Sequence, residues 1–309
     1  MKSAAGHARN VRALGARDLD AVVGIDAELS GHSRRGYFER RLAAAQRDAE
    51  RHVQFAVEED GAVAGFVLGY ALEGEFGRSD PEMRMEALGV RAAAQGRGLG
   101  AALAEAFESA AAKRGVREIR TTALWHEHEL LRFLDRGGYR LADSYFLDRA
   151  ITVTDGRDFY PEARDAAEIT VLSEADLEGI ARIDRRLTGR DRREYLQRGW
   201  RETLTDSAVR ISLAAKSDGA VAGFLMARMD YGDFGRVEPV AVIDTVGVDP
   251  MRAHEGIGRA LLSQLFVNLS ALGVERVETV VAPGRMDLLG FFHHAGFRPG
   301  ERLSFHKRL

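Results

Sequence analysis

The sequence predicts an α+β fold of mixed α/β content, present twice: two mostly antiparallel mixed sheets, each flanked by helices. Three observations carry this expectation. Motifs recur at one fixed offset, so that Gly98 and Gly256 lie 158 positions apart and Gly61-Ala62-Val63-Ala64-Gly65-Phe66 reappears as Gly219-Ala220-Val221-Ala222-Gly223-Phe224. Each copy carries an Asp-Gly pair between two apolar runs, the strongest short-range hairpin signal. In each copy a strand-like run leads into a glycine loop and then a long amphipathic segment.

The elements follow in order. A short strand, Asn10 to Leu14 or Glu168 to Leu172, precedes an acidic helix start at Asp18-Leu19-Asp20 or Asp176-Leu177-Glu178. Leu19, Val22, Val23 and Ile25 keep helical spacing. Arg35 to Arg47 and Arg193 to Thr203 read as second helices. Val53 to Glu58 and Val63 to Leu72 flank the turn at Asp60-Gly61, which Asp218-Gly219 repeats. A strand through Met85 to Val90 meets the loop Gln95-Gly96-Arg97-Gly98-Leu99-Gly100, and a helix from Leu99 to Arg114 puts Leu99, Leu103, Phe107 and Ala110 on one face. Gly115 stops that helix, Val116 to Leu124 reads as a strand, and a helix from Glu129 to Arg136 ends at Gly137-Gly138. A hairpin-like segment to Arg149 closes the copy. The stretch from Ile151 to Ala167 contains Gly156, Pro161 and several charges and reads as a linker, which sets the expected domains at 1–150 and 169–309 with 151–168 between them.

Composition narrows the class. The chain has 309 residues, and 45% hydrophobic with 29% charged residues gives no reason to expect disorder. The absence of cysteine excludes disulfides, thiolate metal sites and a cysteine nucleophile. No apolar run is long enough for a membrane span, and the polar start lacks a signal-peptide core, so the chain reads as cytoplasmic. A net charge of −3 gives no overall field for nucleic acid, and no partner of that kind is expected. His293-His294 are adjacent and diverge on a helix, and His126 and His128 lack partners in sequence, so no metal site is expected.

The glycine loop carries the chemistry. Backbone N–H groups at a helix start have no partner within the helix and sit at the positive end of its dipole, so they bind anions. Gly96, Gly98 and Gly100 remove side chains that would block a phosphate, while Arg97 offers a cation and Gln95 a donor. A glycine triplet alone also fits a plain strand-to-helix turn. No Lys-Ser or Lys-Thr follows Gly100, as a Walker loop requires, and Ala101 stands where the dinucleotide pattern places its last glycine.

The loop resembles the acetyl-CoA loop of the GNAT acetyltransferase superfamily, Gln/Arg-x-x-Gly-x-Gly/Ala after a strand ending in a small residue and valine. Leu88-Gly89-Val90 with Gln95 to Gly100, and Val246-Gly247-Val248 with Gly256 and Gly258, carry the match, and Gly138-Tyr139 and Gly296-Phe297 resemble the family's closing motif. The resemblance implies acetyl-CoA as co-substrate, held at its pyrophosphate by Gly96, Arg97, Gly98, Leu99, Gly100 and Ala101 and along its pantetheine arm by Leu88 and Val90. Val246, Val248, Gly256 and Gly258 are the second set. There Ala253 replaces the Gln/Arg position and Glu255 stands where copy one has Arg97, so copy one is expected to bind better. The family's tyrosine four residues before the closing glycine is absent, Leu134 and Phe292 taking its place, and its acid role does not carry over.

Glu86 and Asp244, four residues before Val90 and Val248, are the candidate bases; for Glu86 a structural ion pair, for example with Arg84, is the competing reading. His128, near the level where the central strands should separate, fits either a proton relay or a solvated loop. Tyr139 reads as core, because Phe297 fills its place in copy two. Arg34, Arg35, Tyr37 and Glu75 are the candidate acceptor contacts, and acidic loops around Glu75 favour a cationic amine. The expected activity is direct transfer of acetyl from the thioester to a primary amine, on a protein lysine, an N-terminus or a small molecule. The rival expectation is a non-catalytic acyl-CoA-binding or scaffolding protein of the same fold. A homo-oligomer is left open.

Overall fold

A computed structural model of the chain describes residues 10–72, 81–152, 167–205, 211–230 and 238–309. Copy one comprises β1 (Asn10–Ala13), α1 (Leu19–Ser30), α2 (Arg35–Arg47), β2 (His52–Glu59), β3 (Ala62–Leu72), β4 (Glu82–Val90), α3 (Leu99–Lys113), β5 (Glu118–Leu124), α4 (His128–Arg136), β6 (Arg140–Leu141) and β7 (Tyr145–Ala150). Copy two repeats the order with β8 (Glu168–Val171), α5 (Leu177–Thr188), α6 (Arg193–Thr205), β9 (Leu213–Ser217), β10 (Ala220–Asp230), β11 (Val240–Val248), α7 (Ile257–Ala271), β12 (Arg276–Val281), α8 (Met286–His294), β13 (Arg298–Pro299) and β14 (Arg302–Arg308).

Local chemistry sets these boundaries. The hairpin turns take positive φ at both central residues, 53° and 79° at Asp60 and Gly61 and 51° and 76° at Asp218 and Gly219, as a two-residue turn matching strand twist requires. α1 buries Val22, Val23 and Ile25 at helical spacing and ends where Gly31 turns left-handed. Each sheet has two apolar faces. In the first, Met83, Met85, Phe107 and Ile119 form the core under α3, and Val22, Ile25, Phe38, Phe66 and Leu68 form the core under α1 and α2.

Each sheet has seven strands, in the orders β1-β2-β3-β4-β5-β14-β6 and β13-β7-β12-β11-β10-β9-β8. The closing strands are therefore exchanged. β14 pairs antiparallel with β5 from Arg302↔Leu124 to Arg308↔Glu118, and β7 pairs with β12 from Tyr145↔Val281 to Ala150↔Arg276. Phe305 is buried in the core of copy one and Leu147 in that of copy two. The strand expected to close each copy closes the other, so a division at residue 150 separates two sequence copies but not two sheets. Because β7 and β14 are sequence equivalents, each presents the pattern that either sheet accepts.

β4 and β5 run parallel and pair only from Glu82↔Glu118 to Arg84↔Arg120. At the next step the Thr121 hydroxyl donates to the Met85 carbonyl at 3.0 Å, and beyond it no further ladder pair joins the two strands among the described residues. Copy two repeats this, with pairing that ends at Ile243↔Thr279 and a Thr279 hydroxyl bond to Ile243 at 3.1 Å. Each sheet thus opens into a V at its centre. On the other side of β4 the register with β3 shifts so that Glu86 is the extra residue of a bulge, and Asp244 is its equivalent in β11.

Candidate active site

The first V opens into a cleft of about 1160 Å³ that passes through the sheet. On one side it is lined by Gly96, Gly98, Gly100, Ala101, Glu105 and Glu108 before and along α3, with Phe133 and Arg136 of α4. On the other side it reaches Asp26, Leu29, Ser30 and Arg34. Leu88 and Val90 of β4 also line it.

The loop turns on left-handed glycines. Gly96 and Gly98 have φ of 74° and 80°, and Gly98 caps α3 in the left-handed conformation that L-residues adopt at a cost of about 1–2 kcal/mol. The first amides of α3 are left to face the cleft. A Cβ on Gly100 would lie 3.3 Å from the Phe133 ring, 3.7 Å from Val90 and 3.8 Å from Leu88, so the loop, the β4 edge and α4 converge here. Two side chains expected to meet the ligand are spent on the loop itself. Gln95 Nε2 donates to the Val90 carbonyl at 3.0 Å, and Arg97 is tied to Glu59 at 2.9 Å and to the Ala93 carbonyl at 2.8 Å. Arg97 is also the one residue of the Gln95–Ala101 loop that does not line the cleft.

The second loop has the same backbone and different charges. Gly256, φ 84°, caps α7, and Val248 comes 3.7 Å from a Cβ placed on Gly258, with Phe291 at 3.1 Å. Val246 and Val248 pair with Leu225 and Gly223, as Leu88 and Val90 pair with Val67 and Gly65. Glu255 is bonded to Arg252 at 2.8 Å, so the repulsion expected from it is partly offset, and Asp249 is bridged by Arg186 at 2.8 Å.

The proposed bases are ion-paired. Glu86 is 1% exposed and bonds Arg41 of α2, a partner other than the Arg84 considered from sequence. It does not line the cleft. Arg41 also lies 5.3 Å from the Tyr70 ring centroid, and burial pushes the Tyr70 phenol up to about 12. Asp244 pairs with Arg228 at 3.3 Å and faces the space between the copies. Both carboxylates are held in ion pairs.

Of the acceptor candidates, Arg34 lines the far end of the cleft, while Arg35 and Tyr37 do not. Arg34 is buried against Asp26, and the equivalent Arg192–Asp184 pair at 2.6 Å shows that this bridge joins the first two helices of each copy. Arg35 is an exposed partner of Asp20. Tyr37 is 4% exposed and packs edge-on against Phe38 at 5.0 Å, which makes it core. Glu75 lies outside the described residues.

Leu134 and Phe292 are fully buried hydrocarbon side chains, and neither has an acidic proton to donate. Tyr139 is core as expected; burial, with the nearby Glu108 charge, raises its phenol well above the ordinary range. His126 and His128 do line the cleft and are exposed, and Glu127 between them caps the strand end by accepting from the Leu124 amide at 2.6 Å. Sequence reasoning missed Arg41, whose equivalent is Gly199, and Lys307, which reaches this cleft only through the exchanged strand. Among the described residues no group of three or more His, Cys, Asp or Glu could hold a metal, and no helix is long and apolar enough to cross a membrane.

A bulged central strand, a V beside it and a glycine-capped helix at its mouth define a mixed α/β protein whose sheet is opened by a cleft at its centre. The model of the acetyltransferase (GNAT) family matches residues 25–139 and 177–297, and the chain belongs to that family. A mycothiol acetyltransferase from Clavibacter michiganensis subsp. michiganensis (strain NCPPB 382) is 34% identical over 86 residues, 28% of this chain and about a quarter (26%) of that protein. Among solved structures, a tandem GNAT protein from the clavulanic acid biosynthesis pathway superposes with a TM-score of 0.69 at 16% identity, covering 97% of this chain and 98% of that one. A GCN5-related N-acetyltransferase from Sphaerobacter thermophilus gives 0.62 at 18%, covering 97% and 95%. At such identities these likenesses speak to the fold.

Proposed function

We propose that the chain is an acetyl-CoA-dependent N-acetyltransferase that works through the cleft of copy one and transfers acetyl directly to a primary amine. The observation that carries this reading is the cleft itself, which begins at the glycine-capped start of α3 and crosses the sheet beside Leu88 and Val90. The backbone of Gly96 to Ala101 fits the pyrophosphate, and the β4 edge beyond Met85, unpaired on the β5 side, fits the amide groups of a pantetheine arm. Bound acetyl-CoA supplies the activated acetyl group. The far mouth, at Asp26, Ser30 and Arg34, is where an acceptor would enter.

Deprotonating an ammonium and protonating a thiolate call for a titrating group or water in reach. Glu86 is committed to Arg41 and Leu134 carries no acidic proton, while the exposed His126 and His128 line the cleft and have ring nitrogens that can accept and donate a proton. An acetyl-CoA-using enzyme without cysteine fits the cytoplasm.

The buried Leu134 and Phe292 specifically favour the second reading, a non-catalytic acyl-CoA-binding protein. Two measurements separate them. Calorimetric titration with acetyl-CoA is expected to show one site per chain; no binding would sink both readings. Release of CoA with a panel of primary amines is expected for the enzyme, and tight binding without release from any of them would leave the binding protein.

A further inference from the structure

The last strand of the chain delivers a lysine to a cleft whose sequence motifs all belong to the other copy. Lys307 lies on β14 and reaches the wall of the first cleft because β14 is paired with β5. Its ammonium donates to Glu108 Oε2 at 2.7 Å and sits 5.5 Å from the Tyr139 ring centroid, while the Tyr139 hydroxyl donates to Glu108 Oε1 at 3.3 Å. Glu108 belongs to α3, the helix whose start forms the anion cradle, about 15 Å along the axis from Gly98 at 1.5 Å per residue. One cluster therefore joins the cradle helix, the segment after α4 and the exchanged strand.

Charge gives the cluster a second effect. Glu105, Glu108, Glu127 and Glu129 all line the cleft, and a multiply anionic thioester entering it is repelled unless they are offset. Lys307 neutralises Glu108. In copy two the exchanged β7 brings Arg149 to the equivalent place, 4.0 Å from the Phe266 ring centroid, and Phe266 and Phe297 occupy the positions of Glu108 and Tyr139. Packing alone is thus met by an aromatic ring, and the carboxylate–phenol–ammonium set belongs to the first cleft.

We infer that Lys307 is a positioning residue of the first cleft: supplied by copy two, it neutralises Glu108 and holds α3 in place, so that affinity for a CoA thioester in copy one depends on the closing strand of copy two. This rests on the reading of the first cleft as the acetyl-CoA site.

The test uses the full chain as wild type, Lys307→Met, Lys307→Arg, Glu108→Gln and the Glu108→Gln/Lys307→Met double variant, with Arg140→Met as an exposed-charge control. Acetyl-CoA affinity is measured by calorimetry at low and high salt. Lys307→Met is expected to weaken binding roughly three- to tenfold at low salt and less at high salt, the double variant to recover most of the loss, and Lys307→Arg and Arg140→Met to stay within about twofold of wild type. Ligand-free hydrogen exchange should speed up in α3 of Lys307→Met and stay unchanged in α7. Unchanged acetyl-CoA affinity in Lys307→Met overturns the inference whatever α3 exchange shows, and so does a double variant as weak as Lys307→Met. If the wild type binds no acetyl-CoA, the cofactor reading fails, and the exchange measurement still decides whether Lys307 positions α3.

Discussion

The two glycine loops have nearly one backbone and opposite charge. Each caps its helix with a left-handed glycine, Gly98 at 80° and Gly256 at 84°, and the position two residues earlier is left-handed in both, Gly96 at 74° and His254 at 68°. In the first loop glycine suits that conformation; in the second a histidine is held there, at a cost of about 1 kcal/mol. Around it Arg97 becomes Glu255, Ala94 becomes Arg252 and Arg91 becomes Asp249. A carboxylate near a helix start favours the helix and opposes a bound phosphate. The second loop has kept its shape and placed a protein acid beside the position where the first leaves room for a ligand's anion. Shape and charge therefore vary separately here: both copies keep the turn, and the charges around it differ.

The largest expected effect tests whether the copies are separable at all. Phe305→Ala removes a 7%-exposed ring that copy two contributes to the core of copy one, and should cost about 3–5 kcal/mol. Leu147→Ala makes the reciprocal cut into the core of copy two, at about 2–5 kcal/mol. Hydrogen exchange resolved by peptide should loosen β4 and β5 in the first variant and β11 and β12 in the second. Loosening confined to the sequence copy that carries the substitution would contradict the strand exchange.

Next comes the cradle. Gly100→Glu puts a carboxylate where the ligand's charge would lie and crowds the Phe133 ring, and is expected to weaken acetyl-CoA binding at least about 100-fold, or 2.7 kcal/mol. Gly258→Glu should leave the stoichiometry at one. If the Gly258 variant instead removes a second binding event, the contrast drawn between the loops is wrong.

What was legible in the sequence follows from the range of each interaction. The 158-residue offset, the Asp60-Gly61 turn and the glycine cap at Gly98 are encoded within a few residues, and each appears where the pattern puts it. The V was expected through the family resemblance alone, which implies a splayed strand at Leu88 and Val90. The exchange of β7 and β14 was not legible, since repeats that resemble each other fit each other's sheets. Nor was the role of Glu86. Its partner Arg41 lies 45 positions away and has no counterpart in copy two, where Gly199 stands, so the internal comparison that exposed other features was silent. The Asp26–Arg34 and Asp184–Arg192 bridges were kept in both copies, and a pair kept in both marks what the fold needs rather than what one site does.

Glu86→Gln sharpens that point. It leaves Arg41 facing a neutral amide in a largely buried place, and a stability loss of about 2 kcal/mol is expected, below the usual range for broken buried pairs because Arg41 is 23% exposed. Urea unfolding measures the loss and calorimetry the affinity, which should change little. A variant as stable as wild type but severalfold slower in turnover would return Glu86 to the mechanism.

The smallest effect bears most directly on how the loops diverged. His254→Gly restores at the second loop the residue that the first retains, relieving the left-handed strain while adding some freedom to the unfolded chain. A net gain of about 0.5–1 kcal/mol is expected in urea unfolding. Acetyl-CoA stoichiometry should remain at one, because Glu255 and Arg252 still occupy the mouth of α7. Adding Glu255→Arg reverses the charge there. If binding at the second loop then appears, charge alone had closed it and the backbone had stayed competent. If it does not, the Asp249–Arg186 bridge is the next contact to open, since it ties the loop's entry to α5 where copy one has the Glu28 carboxylate accepting from the Ala92 amide.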